Sequence, residues 1–179
     1  GTDRRVALKW PNDLMVGARK LCGVLSRVGL DTNGETFVVV GVGLNVNVAE
    51  AHLPPQATSL IDLLGAPVDR EALLEGLILG FFERAITWRR EGPEGQLDEW
   101  LRRSCWRGRQ VSVYTGPGAA DDPNRDPCAP PRQGFSGEVL GLAPGGALRL
   151  RPAGAGAERL VFAGDVSLRD ERPGGERPR

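Results

Sequence analysis

Lys9-Trp10-Pro11-Asn12-Asp13-Leu14-Met15-Val16-Gly17-Ala18-Arg19-Lys20-Leu21-Cys22-Gly23-Val24-Leu25 is the stretch that decides the fold, and it holds both lysines of the chain; every other basic residue is arginine. Residues Arg5 to Trp10 read as a strand ended by Pro11, which cannot donate to a ladder and biases Trp10 toward an extended conformation. A second short strand, Leu14 to Val16, follows the Asn12-Asp13 turn. Leu21 to Leu30 is a third, and the Asn33-Gly34 pair is a hairpin signal that returns the chain as a fourth strand from Thr36 to Val48. The pattern is an antiparallel meander.

Further along, apolar residues at Leu73, Leu74, Leu77, Ile78, Phe81, Phe82, Ala85 and Ile86 recur with helical spacing, and Asp69 is placed to cap that helix. A shorter helix from about Glu94 to Arg103 carries Leu97, Trp100 and Leu101 on one face. The aromatic residues of both helices are expected in the core. Beyond Trp106 the period changes to two: Val111–Val113, Phe135–Leu142, Ala147–Leu150, Leu160–Phe162 and Val166–Leu168 give five short strands, the pattern of a small barrel. The expected class is therefore α+β, with a domain over 1–106 and a barrel over 107–170. A Gly-, Pro- and Asp-rich insertion at 116–133 reads as mobile and a tail at 171–179 as disordered.

Bulk properties exclude several functions. The 179 residues carry 23 basic and 23 acidic side chains, a balance unlike the strongly basic footprint of a nucleic-acid-binding domain. The longest apolar run, near Phe37 to Val48, is broken by Asn45 and Asn47 and is too short to cross a bilayer. Three cysteines, Cys22, Cys105 and Cys128, contain no Cys-x-x-Cys pair, so reduced thiols and a cytoplasmic setting are expected. His52 is the only histidine and lies in a proline-rich loop, where a structural role is expected; a multi-histidine metal site cannot be built from these residues.

Chemistry concentrates early in the chain. In Phe37 to Asn47, alternation puts Val38, Val40, Val42, Leu44 and Val46 on one face, expected to be packed. Gly41, Gly43, Asn45 and Asn47 fall on the other. Alternate glycines weaken a strand by about 0.5 to 1 kcal/mol each relative to alanine, and they serve where a ligand or another backbone approaches closely. A flat platform for a planar ring and close packing against a helix are both consistent with this. Lys9, Asn12 and Asp13 supply a cation, an amide and a carboxylate at a proline-fixed bend; Lys20 heads a strand with Gly23 three residues on. Holding a carboxylate within about 4 Å of a phosphate costs on the order of 4 kcal/mol at an effective dielectric near 20, and neighbouring ammonium groups offset it.

Taken together, Lys9 to Leu14, Lys20 to Leu25, Gly41 to Asn45 and Ala163-Gly164-Asp165-Val166-Ser167-Leu168 make the chain similar to the bacterial biotin–protein ligases. The resemblance reaches to about Asp170. It implies a mixed sheet with helices related to class II aminoacyl-tRNA synthetases, followed by an SH3-like barrel. The activity implied is joining of biotin to ATP with Mg2+, giving biotinyl-AMP and pyrophosphate, then transfer of biotin to one lysine of a carrier domain such as that of acetyl-CoA carboxylase. Lys20, Asp13 and Lys9 become the candidate catalytic set. Lys20 matches the family lysine that contacts the biotin carboxylate and α-phosphate; Gly23 and Leu25 match the biotin pocket; Lys9 and Asn12 match phosphate contacts; Asn45 matches the amide near adenine, on the Gly41 and Gly43 platform. Asp13 would receive the acceptor lysine. An ordinary carboxylate is too weak a base to deprotonate that ammonium efficiently, so Asp13 is assigned to positioning.

The resemblance also implies a glycine- and arginine-rich biotin-binding loop upstream of Lys9, so an amino-terminal truncation is expected, with at most weak nucleotide or biotin binding by this piece alone. Arg107-Gly108-Arg109 sits at the start of the barrel and is not that loop. Two other readings stay open: a lipoate–protein ligase, and a non-catalytic binding module using Arg107, Arg109, Arg149 and Arg151. The arginines lack the interleaved aromatics that base stacking needs and read as a solvated face.

Overall fold

A computed structural model describes residues 5–115, 133–154, 156–162 and 165–168. It divides into two units, Gly1–Cys105 and Trp106–Arg179. The expected mobile insertion at 116–133 lies almost wholly outside the described residues, as does the tail at 171–179.

In the first unit, β1 (Val6–Lys9), β2 (Asp13–Val16), β3 (Arg19–Leu30) and β4 (Thr36–Leu44) form an antiparallel sheet in that order. Hairpin chemistry sets each junction. Lys9 pairs with Asp13 across the Trp10-Pro11-Asn12 loop, whose Trp10–Pro11 peptide is cis. Val16 pairs with Arg19 across Gly17-Ala18, with Gly17 at φ 59°, a value that favours glycine. At the third junction Asp31 Oδ1 accepts hydrogen bonds from the backbone N–H groups of Asn33 and Glu35. The β2–β3 register slips: Leu14 faces Cys22 but Met15 faces Lys20, so Leu21 is an extra residue in β3. This is a β-bulge.

After a 3-10 turn at Glu50–His52 come α1 (Leu60–Leu64), α2 (Arg70–Glu91) and α3 (Glu94–Arg103). Ser59 caps α1 and Asp69 caps α2, its Oδ1 accepting from the N–H groups of Glu71 and Ala72. The helices α2 and α3 are joined by Glu99, which pairs with Arg84 and Arg103; hydrogen bonding from Arg84 holds its carboxyl below the usual carboxylate range.

Three expectations are corrected. The fourth strand stops at Leu44 rather than Val48, because Asn47 turns its amide onto Val68: Nδ2 donates to the Val68 carbonyl at 2.8 Å and Oδ1 accepts from its N–H at 2.9 Å. The apolar face of β4 is not packed: Val38 and Val42 are more than half exposed, and so is Val39 on the opposite face. Likewise α2 buries none of its residues, leaving Phe81, Phe82 and Ile86 at the surface instead of in a core. A cleft of about 700 Å³ separates Val42, Leu44 and Val46 from Leu73, Leu74 and Leu77. The core of this unit is small and lies at the other end of the sheet, around Trp10, Val16, Leu21, Cys22 and Ala57.

The second unit holds β5 (Gln110–Thr115), β6 (Gln133–Leu142), β7 (Leu148–Pro152), β8 (Arg159–Val161) and β9 (Asp165–Leu168), paired antiparallel in the order β8-β7-β6-β5-β9. Val111, Val113, Val139, Leu148, Leu150 and Val161 are buried, as their alternation requires. Arg149 is paired with Glu158 and Arg151 with Glu138. Gly137 is fixed by close approach, since a Cβ there would lie 2.6 Å from the Arg151 carbonyl oxygen.

Gly137→Ala should therefore destabilise the second unit by about 1–3 kcal/mol, read as a lower urea midpoint. Gly145→Ala, where a Cβ meets nothing within 4 Å, should leave the midpoint nearly unchanged.

Candidate functional site

Strand register puts the candidate residues in a line. Lys9 pairs with Asp13, Asp13 with Gly23, and Gly23 with Gly43, so these four positions cross the sheet from β1 to β4 on one face. Leu25 and Gly41 form the next pair of that face, two residues along. Strict alternation from Gly23 would send Lys20 to the opposite face. The bulge at Leu21 restores it, and backbone bonds fix the result: the Lys20 N–H donates to the Gln56 carbonyl at 2.8 Å, and its carbonyl accepts from the Thr58 N–H at 2.9 Å.

Both ammonium groups thereby reach one carboxylate. Lys20 Nζ lies 2.5 Å from Asp13 Oδ1, and Lys9 Nζ lies 4.0 Å from Asp13 Oδ2. Gly23 leaves room for the first contact: a Cβ at that position would stand 3.1 Å from Lys20 Nζ, asking the ammonium to shift by a few tenths of an ångström, and at an ordinary 3.5 Å from Asp13 Oδ1. Asp13 Oδ1 is cut off from solvent and has no aligned hydrogen-bond donor; the Lys20 ammonium touches it as an ion pair only. Lys20 itself is exposed, its side chain at 46% against 15% for Asp13. The pair is a charged surface with a half-hidden anion.

Beyond that pair the face is bare. A Cβ at Gly41 or Gly43 would meet nothing nearer than its partner strand's carbonyl oxygen, at 3.6 Å and 3.8 Å, so among the described residues no helix packs on these glycines. Leu25 stands exposed beside them. The cleft beside α2 is lined by Val42 and Leu44, which alternate to the other face, and is separate from this surface.

Asn12 lies exposed in the β1–β2 loop, where its carbonyl accepts from the Val24 N–H. Asn45 is more committed than its sequence setting implied. Its side-chain Nδ2 donates to the Thr58 carbonyl at 3.1 Å, its N–H donates to Leu21 and its carbonyl accepts from Leu60. It staples the end of β4 to the segment that pins Lys20. Thr58, Ser59 and the backbone of Gln56 were not singled out by sequence reasoning; a buried Thr-Ser pair before an apolar turn was the available signal. Cys22, next to Gly23 but on the opposite face, is buried, and that burial raises its thiol pKa despite the opposing influence of Lys20. Among the described residues, no group of three or more His, Cys, Asp or Glu could hold a metal ion.

Residues 1–47, which contain this whole row, match the model of the biotin/lipoate A/B protein ligase family. The chain is 40% identical over 114 residues to the biotin–[acetyl-CoA-carboxylase] ligase of Mycobacterium tuberculosis, an alignment covering 64% of this chain and 40% of that protein. It is 29% identical over 121 residues to the enzyme of the same name from Paracoccus denitrificans, covering 65% of this chain and 50% of that one. The chain thus spans half or less of the length of these relatives. The biotin protein ligase of Aquifex aeolicus, solved in complex with biotin and ATP, has the same fold: TM-score 0.68 at 23% identity, over 94% of this chain and 63% of that one. The resemblance to biotin–protein ligases expected from the sequence is borne out, as is an α+β fold with antiparallel sheets.

Because the Cys22 thiol ionises less readily when folded, its contribution to stability is complete below the thiol's ordinary pKa and disappears as the pH rises from that value through the raised one. Cys22→Ala should flatten the alkaline fall in stability relative to the parent chain, measured as the urea midpoint against pH.

Proposed function

We propose that this chain is part of an ATP-dependent biotin–protein ligase. The observation that carries the reading is the convergence of Lys9 and Lys20 on Asp13, on a sheet face stripped of side chains at Gly23, Gly41 and Gly43. Two ammonium groups beside an open strip suit two anions, a carboxylic acid and a polyphosphate, with a ring system lying flat on the strip.

In the first step a biotin carboxylate oxygen attacks the α-phosphorus of ATP, a P–O bond forms, and the bond to pyrophosphate breaks. Lys20 bridges the two anions and lowers their repulsion; Lys9 and Asn12 face the departing phosphates; Leu25 and Gly23 border the biotin ring, and Gly41 and Gly43 the nucleotide. In the second step the acceptor lysine ammonium first loses one proton to solvent, its neutral nitrogen attacks the acyl carbon, AMP leaves, and a second proton passes to solvent as the amide forms. Asp13 orients the incoming ammonium, and Asn45 acts through the Gln56–Thr58 segment to hold Lys20. The acceptor is a biotin carboxyl carrier domain of acetyl-CoA carboxylase or a related enzyme. Mg2+ accompanies the triphosphate; Asp13 already faces two ammonium groups, so no residue is assigned to the ion.

The first unit is read as the carboxyl-terminal part of a class II synthetase-like catalytic domain. Apolar surface on both faces of β4 and along α2 supports this, since such a surface calls for more protein to cover it. The five strands of the second unit are read as an SH3-like barrel. A cytoplasmic setting is consistent with the reading; no described helix is long and apolar enough to cross a membrane.

Biotin-dependent ATP–pyrophosphate exchange by the complete-length protein tests the reading. Exchange should fall at least about 100-fold in Lys20→Ala, the scale of losing one group that stabilises developing charge. Exchange driven by lipoate and not biotin would overturn the choice of substrate, and no exchange with either acid would overturn the reading.

A further inference from the structure

Asp13 is neutralised twice over by the chain itself. Its carboxylate lies between the Lys9 and Lys20 ammonium groups, and its Oδ1 is hidden from solvent with the Lys20 Nζ against it. A carboxylate so enclosed offers little attraction to a third ammonium. Lys20, in contrast, is nearly half exposed and carried on a flexible stem, and the glycine beneath it at position 23 leaves its head free to swing. An anion arriving on the face can draw that head away without moving the backbone, which Gln56 and Thr58 hold on both sides.

We propose that Asp13 is a positioning residue under charge control: in the empty site it is a stand-in anion for Lys9 and Lys20, and a bound polyphosphate or acyl-adenylate releases it by taking over those ammonium groups. Once released, the carboxylate is uncovered and under-neutralised, and it attracts the ammonium of the acceptor lysine. The second substrate is then recognised only after the first anion is in place. This rests on the ligase reading for its meaning, and it makes a separate physical claim, that an anion and a cationic amine bind this face cooperatively through Asp13. Linkage requires the reinforcement to be reciprocal.

The chain's two lysines make the claim directly observable, because selective 13C labelling at lysine Cε yields only two signals, from Lys9 and Lys20. Titration of the full chain with inorganic pyrophosphate should move both signals, and Asp13→Asn should shift them in the absence of anion. Nα-acetyl-lysine methyl ester, a probe for the acceptor amine, should bind at least about fivefold more tightly when pyrophosphate is present, and Asp13→Asn should abolish that gain. Two unmoved lysine signals at saturating pyrophosphate would overturn the proposal, and so would failure of pyrophosphate to bind. That readout needs no variant, so it stands even if Asp13→Asn fails to fold. Cooperativity surviving in a folded Asp13→Asn chain would also overturn it, by assigning the effect to direct attraction between the two probes. A loss of biotin-dependent exchange with the pyrophosphate response intact would remove the ligase reading and leave the charge exchange standing.

Discussion

One extra residue in β3 decides which face of the sheet receives the Lys20 ammonium. Alternation alone separates Lys20 from Gly23 by an odd number of positions and sends them to opposite faces; the bulge at Leu21 cancels that count. The ion pair with Asp13, the room left by Gly23 and the row shared with Gly43 all follow from the slip. The surrounding structure fixes it from the other side: Gln56 and Thr58 take the Lys20 backbone groups, and Asn45 ties Thr58 back to the end of β4. Leu21, buried at 3% exposure, anchors the bulge in the small core beside Trp10 and Cys22.

The rest of the first unit is unevenly supported. Its core sits under the charged row, where β1, β2 and the start of β3 meet, while the far ends of β3 and β4 carry apolar side chains in solvent on both faces. Among the described residues, β4 is hydrogen-bonded on one edge only. A long apolar edge strand is a template for further pairing. The site's polar framework therefore lies where packing is complete, and the bare glycines extend from it toward the part that is uncovered. The second unit shows the opposite balance, with buried residues alternating along β5 and β7 and with Arg151 and Arg149 paired to Glu138 and Glu158.

Local rules made much of this legible. Pro11 ended β1, Asn33-Gly34 marked a hairpin, Asp69 capped α2, and the limits of α3 agree with its periodicity. Those features depend on a few adjacent residues whose backbone preferences are strong. Less legible were features set by partners distant in sequence. Nothing near Asn47 announces that its amide will bind Val68, or that Asn45 will bind Thr58, so both asparagines read as an open amide face when they are braces. Five-residue α1 is too short to show a period. The exposure of α2 was invisible because an apolar stripe predicts burial whether or not its partner is present. The bulge left no mark, since Lys20-Leu21-Cys22-Gly23 reads equally well as a regular strand.

Lys20 and Asp13 face each other because β3 slips by one residue. A double-mutant cycle on folding stability, with Lys20→Met, Asp13→Asn and the pair, tests it most directly. A favourable coupling of about 0.5 kcal/mol or more is expected, disappearing when Leu21 is deleted to restore regular register. Additive effects of the two substitutions in the parent chain would contradict it.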